Sequence, residues 1–306
     1  MILPSIALVT PTLNQSGYLR EAVDSVLGQE YRALDYIVMD GGSTDGSQEV
    51  LVSYGPRLRW VSKPDAGQSA AINQGWQRTQ GEIIGWLNSD DRLAPGALAR
   101  VGDFFANHPE IEWVYGDCDY INSEGQVWRH YPVCPYNYSR LVVEAQNYIP
   151  QPATFFRRRL LETIGWLDEG LHYVMDYDFW LRIGLRHPGV YLPGRLAALR
   201  LHAGAKSTAH LGQFASENVL VLERLLSSSD LPVEIATQKR QALANLYLHA
   251  ADIAFWGEKP VQARRYGIQA WRLRPLRLRQ LYLWLLLGPT GRQWAEKCYS
   301  NPYLPG

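Results

Sequence analysis

The sequence is poor in cysteine and has no long apolar run. Its three cysteines, Cys118, Cys134 and Cys298, are widely spaced and form no C-x-x-C pair. This spacing argues against a disulfide framework or a zinc site and is typical of a reducing cytosol. Residues 1–11 lack the features of a signal peptide, and the apolar run at 281–287 is too short to span a bilayer. We therefore expect a cytoplasmic protein, either soluble or peripheral at the inner face of the plasma membrane.

Net charge is also absent, since Lys plus Arg and Asp plus Glu number 30 each. This balance excludes the globally basic surface that is typical of nucleic-acid-binding proteins. Beyond residue 263, however, arginines are interleaved with Trp and Leu, and Glu296 is the single acid. Residues 260–306 therefore predict a peripheral membrane contact through an amphipathic basic surface. The alternative is a helix packed on the core with a solvated basic face.

Short apolar runs alternate with segments of helical periodicity in the first part of the chain. The runs predict four strands, at 6–9, 36–39, 58–61 and 83–87. Strands that alternate with helices in this way predict βαβ units and a mostly parallel sheet flanked by helices. From about residue 213 the pattern is helical to the end. We expect an α/β domain over 1–210 and a helical C-terminal region over 211–306.

Two adjacent acids, Asp90 and Asp91, follow the fourth predicted strand in the sequence Asn88-Ser89-Asp90-Asp91. Open α/β sheets bind ligands at the carboxyl ends of their strands. Adjacent acids at that edge suit a hard divalent cation, which prefers oxygen ligands. Taken alone, such a pair is more often a solvated turn, so its interpretation depends on the motifs around it.

Taken in order, several motifs resemble those of glycosyltransferase family 2, which has the GT-A nucleotide-sugar-binding fold. The resemblance covers about residues 4–210. Besides the acid pair it rests on three segments: Val9-Thr10-Pro11-Thr12-Leu13-Asn14, Val38-Met39-Asp40-Gly41-Gly42-Ser43-Thr44-Asp45-Gly46-Ser47 and Lys63-Pro64-Asp65-Ala66-Gly67-Gln68-Ser69-Ala70-Ala71-Ile72-Asn73-Gln74-Gly75. A later segment, Tyr173-Val174-Met175-Asp176-Tyr177-Asp178-Phe179-Trp180-Leu181-Arg182, is similar to the family's acceptor-side acidic motif.

The resemblance implies an inverting, metal-dependent transferase of bacterial cell-surface glycan synthesis. Such an enzyme moves one sugar from a nucleotide diphosphate-sugar donor to a saccharide or lipid-linked acceptor and uses Mg²⁺ or Mn²⁺. Residues 1–100 would then be the nucleotide-sugar half and residues 101–210 the acceptor half. The donor-binding positions implied by the motifs are Thr10, Pro11, Asn14, Asp40, Gly67, Gln68, Asn73 and Asp90.

The resemblance assigns metal coordination and removal of the acceptor's proton to further residues. The resemblance implies that Asp91 coordinates the metal directly, that Asp90 meets the ribose and that His202 completes the metal or diphosphate site. Asp176 stands at the position of the general base, which removes the proton of the acceptor hydroxyl. Its alternative role is a helix N-cap. Asp178 is instead predicted to be a structural partner of Arg182, four residues on.

Three positions depart from the family pattern and leave alternatives open. Gly41 stands where many relatives carry a second acid, Ile72 replaces a common arginine, and Asn88 replaces a frequent leading acid. One alternative is a catalytically inactive nucleotide-sugar-binding or scaffold protein. Another is a sugar nucleotidyltransferase, which calls for a glycine-rich basic loop after the first strand. Residues 10–17 contain one glycine and no Lys or Arg, which argues against it.

Overall fold

The computed structural model describes residues 3–275, apart from the side chains of residues 207 and 208. Within this range the chain forms two compact units. The first consists of residues 3–136 and 148–200, and the second of residues 137–147 together with those from 201 onward. The structure therefore divides the chain at 200, ten residues before the predicted boundary at 210. It also assigns the internal segment 137–147 to the second unit.

The first unit is built on one mixed sheet. The strands found in the described residues are β1 (Ile6–Thr12), β2 (Leu34–Asp40), β3 (Arg59–Ser62), β4 (Ile83–Trp86), β5 (Arg92–Leu93), β6 (Trp113–Ile121), β7 (Val127–His130), β8 (Thr154–Arg157) and β9 (Val190–Arg200). Their order is β3-β2-β1-β4-β8-β6-β9-β5, with β7 paired to β6. Strands β3, β2, β1 and β4 are mutually parallel. Strand β8 is antiparallel to both β4 and β6.

Helices cover the sheet of the first unit and form the second unit. In chain order they are α1 (Ser16–Leu27), α2 (Ser47–Val52), α3 (Gln68–Gln77), α4 (Ala97–Asn107), α5 (Tyr138–Val143), α6 (Leu160–Ile164), α7 (Met175–Gly184), α8 (Lys206–Ala209), α9 (Leu211–Leu226), α10 (Val233–Thr237), α11 (Lys239–Trp256) and α12 (Pro260–Leu273). The predicted α/β class with C-terminal helices is confirmed. The parallel pairs join β3, β2, β1 and β4 to one another and β6 to β9, while β5, β7 and β8 add shorter antiparallel pairs.

Helix α3 packs very closely on β1. A Cβ on Gly75 would overlap the methyl groups of Val9, and a Cβ on Gly81 would overlap the backbone of Ala7. Only glycine permits this approach, since any side chain would push the helix away from the sheet. The close packing fixes the start of α3 beside the carboxyl end of β1.

Four buried tryptophans connect the sheet to α3 and α7. Trp113 and Trp180 stack with ring centroids 5.8 Å apart and an interplanar angle of 5°. Trp180 stacks on Trp86 at 5.7 Å, and Trp86 meets the edge of Trp76 at 5.6 Å. Each such pair contributes about 0.5–1.5 kcal/mol beyond the burial of its surface. The column therefore holds α7 in a fixed position relative to the end of β4.

The second unit is helical, as the pattern predicts. Its core consists of small and aliphatic side chains from α9, α11 and α12: Leu211, Ala215, Ala250, Ile253, Ala254 and Ala263. Asn245 of α11 donates a hydrogen bond to the carbonyl of Val143 at 2.6 Å, which ties α5 to this unit. Among residues 3–275, no helix combines the length and the hydropathy needed to cross a bilayer.

Candidate functional site

The loops that follow β1, β2 and β4 meet at one edge of the sheet, because the three strands are parallel and adjacent. Thr12, the last residue of β1, is in register with Asp40, the last residue of β2. The predicted donor residues lie in or beside these loops. Some of their side chains are open to solvent, however, whereas others are buried and hydrogen-bonded within the protein.

Asp40 is buried and its carboxylate is used within its own chain. The Ser43 hydroxyl donates to Oδ1 at 2.5 Å and the Ser62 hydroxyl donates to Oδ2 at 2.6 Å. The Ser43 amide lies 3.2 Å from both oxygens. Asp40 therefore shapes the turn after β2 and ties it to β3.

The end of β1 presents Asn14 rather than Thr10 or Pro11. Thr10 and Pro11 are buried within the strand, and the Thr10 hydroxyl accepts a hydrogen bond from Tyr36 at 3.0 Å. Asn14 is exposed, with a φ of 53°. Its Oδ1 accepts the Thr44 amide at 2.9 Å, so this residue links the loops after β1 and β2.

Gln68 and Asn73, both in α3, have different environments. Gly67 precedes α3 with a φ of 118°, a conformation that favours glycine. The Gln68 side chain donates to Asn88 Oδ1 at 2.7 Å and so joins the loop of the acid pair. Asn73 is buried, and its amide donates at 3.0 Å to the Leu167 carbonyl. Asn73 thereby secures a distant loop, whereas Gly67 and Gln68 lie at the edge.

The two acids after β4 have different environments. Asp91 is 3% exposed, and its Oδ1 accepts the backbone amide of Arg200 at 2.8 Å. Burial raises the pKa of Asp91 well above its usual value, and the neighbouring charge of Asp90 raises it further. Asp90 is half-buried. Asp91 therefore anchors the loop to β9, while Asp90 is the member of the pair nearer to solvent.

Arg200 is a site residue whose role the sequence does not predict. Its guanidinium is buried, pairs with Glu21 of α1 and donates to the Asp90 carbonyl at 2.8 Å. It also donates to the carbonyls of Asn122 and Ser123 at 3.0 and 3.1 Å. The signal in the sequence is an arginine among aliphatic residues at the end of a strand. Such a residue must be buried with partners, since a buried charge is costly alone.

The two acids in the first turn of α7, like the pair after β4, differ in burial. Asp178 is 2% exposed, and its Oδ2 accepts Arg182 Nε at 2.8 Å. The structure thus confirms the predicted pairing of Asp178 with Arg182. Asp176 is half-buried in the first turn of the helix. Burial raises the pKa of Tyr131, the residue that follows β7, and the charges of Tyr120 and Asp176 add to this shift.

The segment before α7 lies against the start of α3. The Ser69 hydroxyl donates to the Leu171 carbonyl at 3.0 Å. A Cβ on Gly67 would lie 3.4 Å from His172 Nδ1. The first turn of α7, which carries Asp176, is therefore connected to the edge where the donor loops meet.

The residues at this edge of the sheet suit a divalent cation that takes most of its ligands from a bound substrate and from water. Within the described residues, no three His, Cys, Asp or Glu side chains converge as a metal cage. Asp90 offers one carboxylate at the edge of the sheet. Mg²⁺ typically binds one or two carboxylates together with substrate phosphates and water, which fits this donor set. His202 is half-buried at the start of the second unit, and its metal role stays a prediction.

Comparison with known proteins identifies the family. The sequence model of glycosyl transferase family 2 matches residues 7–165, which is more than half of the chain. The chain belongs to this family. The predicted family and the predicted class of activity, a glycosyltransferase, are thereby confirmed.

Relatives of this glycosyltransferase come from several organisms. An uncharacterized glycosyltransferase of Rickettsia felis is 26% identical over 272 residues, which are 82% of this chain and 45% of that protein. The O-antigen biosynthesis protein RfbC of Myxococcus xanthus is 30% identical over 186 residues, which are 59% of this chain and 14% of that protein. The aligned residues therefore span less than half the length of either relative.

A solved structure shows the same fold. The mannosyltransferase PcManGT from Pyrobaculum calidifontis, determined in complex with GDP-Man and Mn²⁺, matches with a TM-score of 0.62 and 18% identity. The match covers 97% of this glycosyltransferase and 84% of that chain. The likeness thus extends over both the α/β domain and the helices that follow it.

Proposed function

We propose that this glycosyltransferase transfers one sugar, with inversion, from a nucleotide diphosphate-sugar to a saccharide or lipid-linked acceptor. The observation that carries the proposal is the contrast within its two acid pairs. Asp91 and Asp178 are buried and held by Arg200 and Arg182, whereas Asp90 and Asp176 are half-buried near the same edge. An inverting transferase needs one acid for the leaving group and another for the nucleophile.

Asp90 is the better candidate for the metal ligand. The sequence pattern assigns the metal to Asp91, but that carboxylate faces the backbone of β9 and is almost fully buried. Asp90 follows the same strand and is partly open to solvent. A bound Mg²⁺ or Mn²⁺ would stabilise the charge of the departing diphosphate. PcManGT, solved with GDP-Man and Mn²⁺, supports this assignment of donor and metal by analogy.

Asp176 is the candidate for the general base. It would accept the proton of the acceptor hydroxyl while that oxygen attacks the anomeric carbon from the side opposite the diphosphate. Its place in the first turn of the ten-residue helix α7 favours the ionised carboxylate that a base requires. The similarity to RfbC, an O-antigen biosynthesis protein, supports a role in cell-surface polysaccharide synthesis.

The proposed activity is tested with a panel of nucleotide-sugars in the presence of Mn²⁺ or Mg²⁺. We expect slow release of nucleoside diphosphate from at least one donor, and we expect chelation of the metal to stop it. The measurement is release of nucleoside diphosphate, together with the thermal shift that each donor causes. A donor that binds without release under all conditions would favour the inactive binding protein.

Helix α12 supports a second proposal, a contact with anionic membranes. Its buried side packs within the second unit through Ala263 and other small residues. Its exposed side carries Val261, 84% exposed, and Trp271, 42% exposed. Arg264 and Arg265 are also exposed. Apolar side chains interleaved with arginine are typical of helices that lie in a membrane interface. The rest of the predicted surface, residues 276–306, lies outside the described residues.

This contact predicts a dependence on lipid charge. The protein should float with vesicles that contain anionic lipid and remain in the soluble fraction with neutral phosphatidylcholine. Reversing Arg264 and Arg265 to Glu should weaken binding by at least about 30-fold, since the loss of each basic residue costs about 1 kcal/mol and the new acids are repelled by anionic lipid. The matched control reverses the exposed Arg32 and Arg57 in the first unit. Equal flotation with neutral and anionic vesicles would refute the contact.

A further inference from the structure

A cluster of aromatic and basic side chains lies on the hairpin formed by β6 and β7. All four residues of β7 are exposed, among them Trp128 at 39%. The guanidinium carbon of Arg129 lies 4.5 Å from the ring centroid of Trp128 and 4.5 Å from that of Tyr120. Tyr120 stacks in turn on Tyr131, with ring centroids 5.1 Å apart. These four side chains form a surface that we call the hairpin platform.

The platform is held from the opposite face of the sheet. Tyr120 and Arg129 are paired across β6 and β7, so their side chains share one face. Asp119 and His130 form the next pair and point to the other face. There the buried carboxylate of Asp119 lies 2.6 Å from His130 Nδ1 and 2.6 Å from Arg195 Nε. Asp119 thus joins β7 and β9 behind the platform.

The turn of the hairpin is tied to the loop of the acid pair. Arg200 donates to the carbonyl of Asn122 at 3.0 Å and to that of Asp90 at 2.8 Å. Arg92, which follows the acid pair, donates to the carbonyl of Gly125 at 2.6 Å. The platform therefore keeps a fixed position relative to the acids. A subsite for a reacting molecule requires such a fixed position.

The other end of the platform is under the influence of the proposed base. Burial raises the pKa of Tyr131, and the charges of Tyr120 and Asp176 raise it further. A charge shifts the pKa of another group only when the two are near each other. Tyr131 is therefore the end of the platform that is close to Asp176.

The chemistry of the platform matches an acidic sugar. The faces of a pyranose ring carry C–H groups, which pack on the negative faces of aromatic rings. A guanidinium has five N–H donors and binds a carboxylate through two parallel hydrogen bonds. It can therefore bind an oxyanion and keep contacts with its own chain. The exposed acid of the hairpin, Glu124, lies in the turn rather than beside Arg129.

We propose that the hairpin platform binds the acceptor and that this acceptor is a saccharide with a carboxylate on its ring, as in a hexuronic acid. The ring would lie against Trp128, and the carboxylate would accept hydrogen bonds from Arg129. That this saccharide is the acceptor rests on the proposed function, whereas its binding to the platform does not. A lipid diphosphate would use Arg129 but would gain nothing from the aromatic side chains. A partner protein would not need the fixed link to the acid loop.

The test measures binding by calorimetry with two acidic probes, tetragalacturonate and a hyaluronan tetrasaccharide. Each is compared with the same chain after reduction of its carboxylates to primary alcohols. Geranyl diphosphate serves as the phosphate ligand. We expect at least one acidic probe to bind at least about tenfold more tightly than its reduced form, because the reduced form loses charge-assisted hydrogen bonds. Binding of geranyl diphosphate should not depend on Trp128.

Substitutions on the platform separate the two kinds of contact. Arg129→Gln should bring the affinities of the acidic and reduced probes to within about twofold, and Arg129→Lys should retain part of the difference, since it keeps the charge but not the planar fork. Trp128→Ala should weaken both forms by about fivefold. Arg57→Gln, at another exposed arginine of the first unit, is the matched control and should change no affinity. Because β7 is exposed, these variants should keep the melting temperature of the wild type.

The outcomes distinguish this inference from the proposed function. If the wild type does not prefer the acidic probes, if the preference survives Arg129→Gln, or if geranyl diphosphate binds more tightly and depends on Arg129, the inference is wrong. A changed oligomeric state of Trp128→Ala with unchanged affinities would assign the surface to protein contacts instead. None of these results affects the release of nucleoside diphosphate. Binding of acidic saccharides without turnover of any nucleotide-sugar would refute the proposed function and leave the binding surface in place.

Discussion

Replacing Asp176 by asparagine is expected to lower the rate of sugar transfer by about 10²- to 10⁴-fold, the usual contribution of a general base. The amide occupies the same volume but cannot accept the acceptor's proton. Because Asp176 does not enter the proposed donor contacts, the affinity for the donor should stay within about twofold of the wild type. Steady-state release of nucleoside diphosphate and calorimetric donor binding measure the two effects. Unchanged turnover would remove Asp176 from the base role.

Asp178→Asn is the informative control for this prediction, because it makes the same chemical change two residues away. Asp178 is buried and accepts Arg182 Nε, and Arg182 also donates to the Ile164 carbonyl at 2.7 Å. An amide there leaves part of a buried network unsatisfied, which costs about 1–3 kcal/mol of folding free energy. We therefore expect a lower melting temperature but little change in the turnover of the folded enzyme. The opposite pattern in the two variants would exchange the roles of these acids.

The fold could be predicted where local pattern and final burial agree. Strands β1, β2 and β4 are apolar runs that become fully or largely buried, so their periodicity is visible in the sequence. Strand β7 is exposed along its whole length, and β5 consists of Arg92 and Leu93 alone. Neither has the alternation of a half-buried strand. Strand β7 pairs with β6, and β5 pairs with β9. The local sequence pattern carries no information about these pairings.

In the candidate site, too, the local sequence does not determine which single residues become buried. Motifs identify the acid pairs after β4 and at the start of α7, but they do not say which member of each pair is buried. Arg182 lies four residues after Asp178, so helical spacing predicts that contact. Arg200 lies 109 residues after Asp91, and only the folded chain brings them together. The motif that assigns the metal to Asp91 therefore contains no information about the burial of that carboxylate.

Arg200 explains how a loop with two neighbouring acids is kept in place. Asp90 and Asp91 repel each other, and burial adds a desolvation cost for Asp91. The Arg200 guanidinium binds the Asp90 carbonyl and pairs with Glu21, while the Arg200 amide binds the Asp91 carboxylate. One residue at the end of β9 thus secures both acids and connects them to α1. These backbone contacts help to position the half-buried carboxylate of Asp90.

The second large effect is expected from Asp90→Ala, which should lower kcat/KM by at least about 10²-fold through the loss of a direct metal ligand. Loss of the carboxylate should also make donor binding insensitive to Mn²⁺. The backbone carbonyl that Arg200 binds is retained, so the melting temperature should change little. Titration of donor binding with Mn²⁺ and thermal unfolding measure the two quantities.

Asp91→Asn should behave in the reverse way and so decides between the two acids. The new amide oxygen can still accept the Arg200 amide, but its NH₂ group would face Asn88 Nδ2, which now lies 3.3 Å from Asp91 Oδ2. Two donors that face each other in a buried site cost about 1–3 kcal/mol of folding free energy. We expect a lower melting temperature with the Mn²⁺ response of the folded enzyme retained. Loss of that response in Asp91→Asn, with Asp90→Ala still responsive, would return the metal to Asp91. The burial of a carboxylate would then be a poor guide to ligation in this loop.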